Sequence, residues 1–316
     1  MSFDRPLFLL LLMLTTQVSA VATSASDSLL DPVALDAWWD FDRPAESEQR
    51  FRARLGTLPA NSAARPELLT QIARAQALQR KFDAAHATLD DVEQQQAEYP
   101  PRVAVPYLLE RGRVFNSSKQ PGKGMPLSRE APDKARAAHE DFLAIDAAHM
   151  LAIAAPPEER LKWNLEALEM TERTADARAK RWLASLYNNI GWTYHEAGDY
   201  ATALAYFEKA LPAWETRGNT SAVQTAKWMI GRALRSLQRY DEAMAIQRAL
   251  LAEQEKNGDA DGYVYEEIAE LELARGRNDV AQPWFAKAYA TLCRDAWLKS
   301  SEPARLERMR KLGSIE

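Results

Sequence analysis

The clearest pattern of apolar and polar positions lies between Ser185 and Ala210, which reads SLYNNIGWTYHEAGDYATALAYFEKA. Small and apolar residues recur there every three or four positions, before and after an Ala-Gly-Asp turn, which predicts two amphipathic helices in a hairpin. The apolar faces carry Tyr187, Ile190, Gly191 and Tyr194 on the first helix, and Tyr200, Ala203, Phe207 and Ala210 on the second. A glycine inside a helix costs about 1 kcal/mol relative to alanine, so Gly191 implies a close helix contact.

The same pattern recurs along the chain, and its copies align on the place of Gly191, which we call the crossing position. Six copies are predicted, with steps of about 36 to 43 residues that are typical of a stacked helical repeat. The residues at the crossing position are Ala73, Gly112, Ala148, Gly191, Gly231 and Ala269. The small position of the second helix is filled by Ala85, Ala203, Ala243 and Ala281.

Two copies depart from the pattern. In the second, the segment from Lys119 to Pro132 contains three prolines and two glycines where the second helix is expected. Because proline costs about 3 kcal/mol in a helix interior, we predict a loop or a broken helix there, free to fold over the groove of the repeats. In the third copy, Asp133 to Ala175, we predict a long first helix that runs through Ala152.

The best copy resembles the tetratricopeptide repeat family, through Tyr187, Ile190-Gly191, Tyr194, Gly198, Ala203, Phe207 and Ala210. This resemblance implies an all-α fold, a right-handed superhelical solenoid of about six helix hairpins, and a role in binding proteins rather than in catalysis. The lysine and asparagine set of the family's carboxylate-clamp members is not reproduced, which argues against recognition of chaperone tails.

The two ends of the chain have other patterns. Residues 1–20 combine Arg5, an apolar run from Leu7 to Leu14 and small residues at Val18-Ser19-Ala20, as in a signal peptide that is cleaved after Ala20. Residues 21–60 are predicted to form a linker and a helical cap, in which Trp38, Trp39 and Phe41 shield the first repeat or else bind a ligand. The solenoid is expected over 61–296 and a capping helix over 297–316.

Composition narrows the functional classes. The 316 residues carry a formal net charge of −5, which argues against general nucleic-acid binding. A single cysteine, Cys293, excludes an internal disulfide framework and a cysteine-rich metal site. With the signal peptide, the chain is expected in the periplasm or outside the cell, with no stable membrane span after cleavage.

The resemblance also places a binding groove on the first helices, where we take the positions −3, +1 and +4 from each crossing residue. Arginine and tryptophan, which dominate interface hot spots, are frequent at these positions and favour an extended or helical acidic peptide as partner. The predicted groove residues are Arg74, Arg113, Asn116, His149, Asn188, Trp192, His195, Trp228, Arg232 and Arg235, followed by Glu266 and Glu270 in the sixth repeat.

No motif requires a catalytic site or a cofactor. The sequence has no zinc-protease HExxH, no GxSxG and no phosphate-binding GxxxxGK motif. Two alternatives to a protein-binding scaffold remain open: a metal or small-molecule pocket in the groove, with His149 and His195, and a structural protein that assembles with itself.

Overall fold

In a computed structural model, the chain is described for residues 29–94, 99–258 and 261–315, and the predicted signal peptide lies outside these ranges. The described part is built from α-helices without strands. The N-terminal helices and the first three hairpins are α1 (Pro32–Ala37), α2 (Pro44–Thr57), α3 (Ala64–Leu78), α4 (Phe82–Gln94), α5 (Pro101–Ser117), α6 (Pro121–Ala137), α7 (Asp141–Ala154) and α8 (Pro157–Arg173).

A short helix precedes the last three hairpins, and two helices follow them. These elements are α9 (Ala177–Lys180), α10 (Leu183–Glu196), α11 (Tyr200–Thr216), α12 (Thr220–Ser236), α13 (Tyr240–Asn257), α14 (Gly262–Ala274), α15 (Asn278–Leu292), α16 (Ala296–Ser301) and α17 (Pro303–Leu312). The six predicted hairpins are therefore α3–α4, α5–α6, α7–α8, α10–α11, α12–α13 and α14–α15. The prediction of an all-α solenoid is confirmed.

The crossing positions lie where the sequence predicts. All six crossing residues are buried, as are the four alanines assigned to the second helices. At Gly191 and Gly231 an added β-carbon would collide with the side chains of Phe207 and Gln247, which fill the equivalent place in their hairpins. Small residues at this position therefore allow the two helices of each hairpin to pack closely.

The turn within a hairpin also repeats. Five of the six hairpins place the residue seven positions after the crossing residue in the left-handed region, with φ between 60° and 82°: Arg80, Lys119, Gly198, Gln238 and Gly276. Such a residue commonly ends a helix, and glycine adopts this conformation without a steric cost. The third hairpin turns instead through Ala155 and Pro156, where α7 ends in extended backbone.

The predicted loop between Lys119 and Pro132 is wrong, because this segment lies in the turn and in α6. Pro121 occupies the first turn of the helix, where a missing N–H has no cost. Gly124 faces Gly112 so closely that a β-carbon on it would lie 2.8 Å from the Gly112 carbonyl oxygen. The glycines therefore form a tight crossing between α5 and α6, and the segment does not cover the groove.

The predicted long helix of the third repeat is also wrong. A turn at Ala138–Glu140, with His139 at φ 56°, separates the end of α6 from α7, so the third hairpin begins at Asp141. At the N-terminus, Trp38 and Trp39 pack with Phe51 against the first repeat, as predicted, whereas Phe41 is 57% exposed and stacks on Trp39 instead of covering the repeat. No helix within the described ranges is long and apolar enough to cross a membrane.

Candidate protein-binding groove

The first helices of the hairpins line one side of the solenoid, which we call the inner face. It carries the side chains at the −3, +1 and +4 positions. Residues of α3, α5, α7 and α10, together with α1 and α9, surround a single cavity on it, so the inner face is concave over the first four repeats. The predicted groove residues belong to this face. The contacts that they make decide which of them are available to a partner.

The +1 side chains of the inner face bind the next repeat. In each of five successive pairs of hairpins, the +1 side chain points to the side chain two positions before the next crossing residue. These pairs, which we call the ladder, are Arg74–Glu110 at 3.8 Å, Arg113–Asp146, His149–Asn189 at 3.0 Å, Trp192–Met229 at 3.1 Å and Arg232–Glu267 at 2.6 Å. The predicted +1 groove residues therefore hold neighbouring repeats together.

The ladder continues into both ends of the solenoid. At the N-terminus, the Trp39 indole N–H donates to Gln71 at 2.9 Å, so the cap supplies the +1 group for the first repeat. At the C-terminus, Arg308 of α17 donates to Glu270, and Arg305 donates to Glu266 at 2.6 and 2.7 Å. Glu266 and Glu270 thus pair with the C-terminal cap.

Arg113 lies at the centre of a buried charge cluster. Its guanidinium donates to both Glu110 and Asp146, and all three side chains are at most 12% exposed. Burial would raise the pKa of Asp146, but Arg113 and Arg74 together lower it below its usual range. Burial raises the pKa of Glu110, and the same two arginines only partly oppose this effect. The arginines therefore already have carboxylate neighbours and are not a free basic stripe.

Arg232 and Arg235 both pair with Glu267, which is fully buried. Arg235 donates from Nε at 2.7 Å and from Nη2 at 3.0 Å, and Arg232 donates from Nη1 at 2.6 Å. Burial acts to raise the pKa of Glu267, but the two arginines hold it below its usual range. This carboxylate is ionised at neutral pH. It therefore neutralises part of the positive charge that Arg232 and Arg235 contribute to the predicted groove.

Trp192 and Trp228 are adjacent on the inner face, with ring centroids 6.2 Å apart. Both rings are only partly exposed, because they pack against the core of the fourth and fifth repeats. The Trp228 indole donates to the Tyr263 carbonyl oxygen at 3.1 Å, and its ring meets that of Tyr263. The three rings form an aromatic row over repeats four to six, next to His195, whose Nε2 lies 3.0 Å from the Ser236 hydroxyl.

His149 is a partly buried ladder residue whose Nδ1 atom is buried without a hydrogen-bond partner among the described residues, which favours the neutral ring. Its ring packs against Trp182 at 4.8 Å, and burial lowers its pKa to about 4, with Asp146 opposing and Arg113 and Arg74 assisting. A histidine with a lowered pKa contributes stability that is complete above its unfolded pKa of about 6.5 and is lost as the pH falls toward the folded value.

We therefore expect His149→Gln to change the pH dependence of stability. The wild-type free energy of unfolding should fall between pH 6.5 and pH 4 by more than that of the variant, because only wild type must exclude a proton. Urea denaturation at half-unit pH steps measures this difference. Parallel curves for the two proteins across this range would contradict the assignment.

Asn116 and Asn188 complete the predicted set. Asn116 is partly exposed near the end of α5. Asn188 lies on α10 with its Oδ1 atom buried and without a hydrogen-bond partner in the described part of the chain.

The two histidines of the predicted pocket, His149 and His195, bond to separate neighbours. Across the described ranges, no three His, Cys, Asp or Glu side chains are grouped to hold a metal ion.

The sequence did not reveal that the inner face already holds a segment of the chain. Helix α1 lies there, and its Asp36 carboxylate accepts two hydrogen bonds of 2.7 Å from Arg178, which is 142 residues away. The Leu30 backbone N–H donates to Glu67 at 2.9 Å, and Arg102 donates to the Leu30 carbonyl oxygen at 2.8 Å. Arg178 also stacks on Phe142, 3.5 Å from the ring centroid. The segment from Leu30 to Asp36 is therefore held through its backbone at Leu30 and through the carboxylate of Asp36.

Comparisons with known proteins agree with the repeat register. Tetratricopeptide repeat family models match residues 143–216 and 225–257. No curated protein is similar to the chain in sequence.

Solved structures share the fold at low identity. A STAND signal transduction ATPase with a tetratricopeptide repeat sensor, from Pyrococcus horikoshii, is 12% identical with a TM-score of 0.62, over 85% of this chain and 42% of that one. The apo form of RapI is 15% identical with a TM-score of 0.61, over 79% and 95%. A Rap protein complexed with Competence and Sporulation Factor is 14% identical with a TM-score of 0.59, over 90% and 82%.

The matched models cover the third to the fifth hairpins, and the crossing residues extend the same register to the first and the sixth. The chain therefore contains tetratricopeptide repeats.

Proposed function

We propose that the chain is a non-catalytic scaffold whose inner face binds an acidic peptide segment of a partner protein. The observation that carries this proposal is the seating of α1, in which Arg178 pairs with the Asp36 carboxylate and Arg102 and Glu67 bind the backbone. A partner segment with a carboxylate and an apolar neighbour, in the places of Asp36 and the buried Leu35, would compete with α1 for the same contacts.

Two variants separate the receptor from the segment that covers it. Asp36→Asn weakens the seating of α1 but leaves Arg178 in place on Phe142, so an acidic partner should be captured more strongly. Arg178→Gln also weakens the seating of α1, leaving only Arg181 at 3.6 Å from the Asp36 carboxylate, and it removes the cation that donates both hydrogen bonds, so capture should decrease. If the charged hydrogen bonds between these two residues contribute about 1–2 kcal/mol, their removal raises the population that is open by a factor of about 5–30.

Affinity capture with the full chain, followed by mass spectrometry, measures this difference. Asp40→Asn is the matched control, because the Asp40 carboxylate pairs with Arg43 in the N-terminal cap and is not among the groups that line the cavity. The proposal requires opposite effects of Asp36→Asn and Arg178→Gln on the same captured protein. Equal capture by both variants and wild type would contradict it.

We further propose that this binding takes place in the cell envelope or outside the cell. Support comes from the apolar run and the small residues that end at Ala20. N-terminal sequencing of the mature protein should begin at Val21. An intact Met1 on the protein from a cytosolic fraction would contradict export.

A further inference from the structure

A cavity lies between α1 and the inner face of the first four repeats. It has a volume of about 340 Å³, and α1 forms one of its walls through Pro32, Leu35 and Asp36. Small-molecule sites typically have volumes of about 300–1,000 Å³, so the cavity has the size of a site for a small ligand. A longer peptide would first have to displace α1.

One pair of the ladder, Arg74–Glu110, lies at this cavity and is not hydrogen-bonded. The Arg74 guanidinium lies 3.8 Å from Glu110, and no hydrogen bond to it is found within the described ranges. Its other neighbours are the rings of Trp39 and Phe41, with centroids at 5.6 and 5.3 Å. In the corresponding ladder pair of the fifth repeat, Arg232 lies 2.6 Å from Glu267. Arg74 therefore has donors available on the cavity wall.

Two of the residues that line the cavity also carry a buried polar atom without a partner among the described residues. These groups are Oε2 of Glu110, a side chain only 3% exposed, and the indole N–H of Trp182. A buried polar group without a hydrogen bond costs about 1–3 kcal/mol, so each such group in a native structure calls for an explanation. Here an acceptor and two donors belong to residues that line the same cavity.

We infer that this cavity binds a small zwitterion of amino-acid size, with its carboxylate on Arg74 and Trp182 and its ammonium on Glu110. Charge balance favours a zwitterion over a simple ion. Arg74 and Arg113 carry two positive charges, and Glu110 and Asp146 can carry two negative ones, so the buried cluster is neutral with both acids ionised. A lone anion or cation would add an unpaired charge to a buried site, which is costly.

The test is a thermal-shift screen of the full mature chain against the twenty free amino acids, followed by calorimetry on each that binds. At least one should bind with a stoichiometry of one. Its amide lacks the carboxylate and its N-acetyl form lacks the ammonium, and each should bind at least about tenfold more weakly, since a charged hydrogen bond contributes about 1.5–3 kcal/mol.

Variants then assign the site. Arg74→Gln and Trp182→Phe should each weaken binding of the amino acid. Arg232→Gln is the control and should leave the affinity within about twofold of wild type, because Arg232 and Glu267 lie outside the cavity. Circular dichroism and melting curves establish that each variant is folded. The inference is overturned if no amino acid binds, if the amide binds as tightly as the acid, or if Arg74→Gln binds as wild type does. None of these outcomes would affect capture of a partner through Arg178.

Discussion

Phe207→Ala is expected to lower the free energy of unfolding by about 3–5 kcal/mol, because the ring is fully buried and its removal leaves a cavity. The ring fills the space beneath Gly191, where a β-carbon would collide with it. Urea denaturation followed by circular dichroism measures the change, provided that the slope of the transition matches that of wild type. Phe207→Leu, which retains most of the volume, should cost clearly less.

A double-mutant cycle tests the reason for this effect. Gly191→Ala alone should be destabilising, since its methyl group meets the Phe207 ring. In the Phe207→Leu background the same change should cost less, because the smaller side chain leaves room. Additive costs would show that the two residues do not pack as the crossing position requires.

Arg113→Met is expected to cost about 3–5 kcal/mol, because it leaves the carboxylates of Glu110 and Asp146 buried without their shared cation. The quadruple variant that adds Arg74→Gln, Glu110→Gln and Asp146→Asn removes all four charges of the cluster and should be more stable than the single variant. Replacement of a whole buried charge cluster is often neutral, whereas removal of one member is not. The same denaturation experiment compares the two proteins. A quadruple variant that is less stable than Arg113→Met would contradict the proposed charge balance.

Much of the solenoid could be predicted because its packing is local. The hairpins bury small and apolar residues at helical spacing, and this periodicity is visible in the sequence from Ala73 to Ala269. The α6 helix could not be predicted from propensity, because it contains Pro126 and Pro132 and yet buries Ala131 and Ala135 in the core. Tertiary packing overrides propensity in such a segment.

The functional groups were predicted in part. The +1 and +4 positions do lie on the inner face, but the −2 side chains that pair with the +1 side chains were missed. The signal was present in Glu110, Asp146 and Glu267, three acids at the same place in the repeat, which pair with arginines of the preceding hairpin. No sequence pattern indicated that α1 binds to the inner face. Asp36 and Arg178 are far apart in the sequence and are brought together only by the curvature of the solenoid.

The most direct measurement of the central claim uses a labelled peptide of residues 29–40, LLDPVALDAWWD, and fluorescence anisotropy. Wild type should bind it weakly, because the tethered α1 occupies the same contacts at a high effective concentration. Asp36→Asn should bind it more tightly, and the double variant Asp36→Asn, Arg178→Gln should lose this gain. If the peptide binds the double variant as well as Asp36→Asn, or binds none of the three proteins, the inner face is not a receptor for acidic peptide segments.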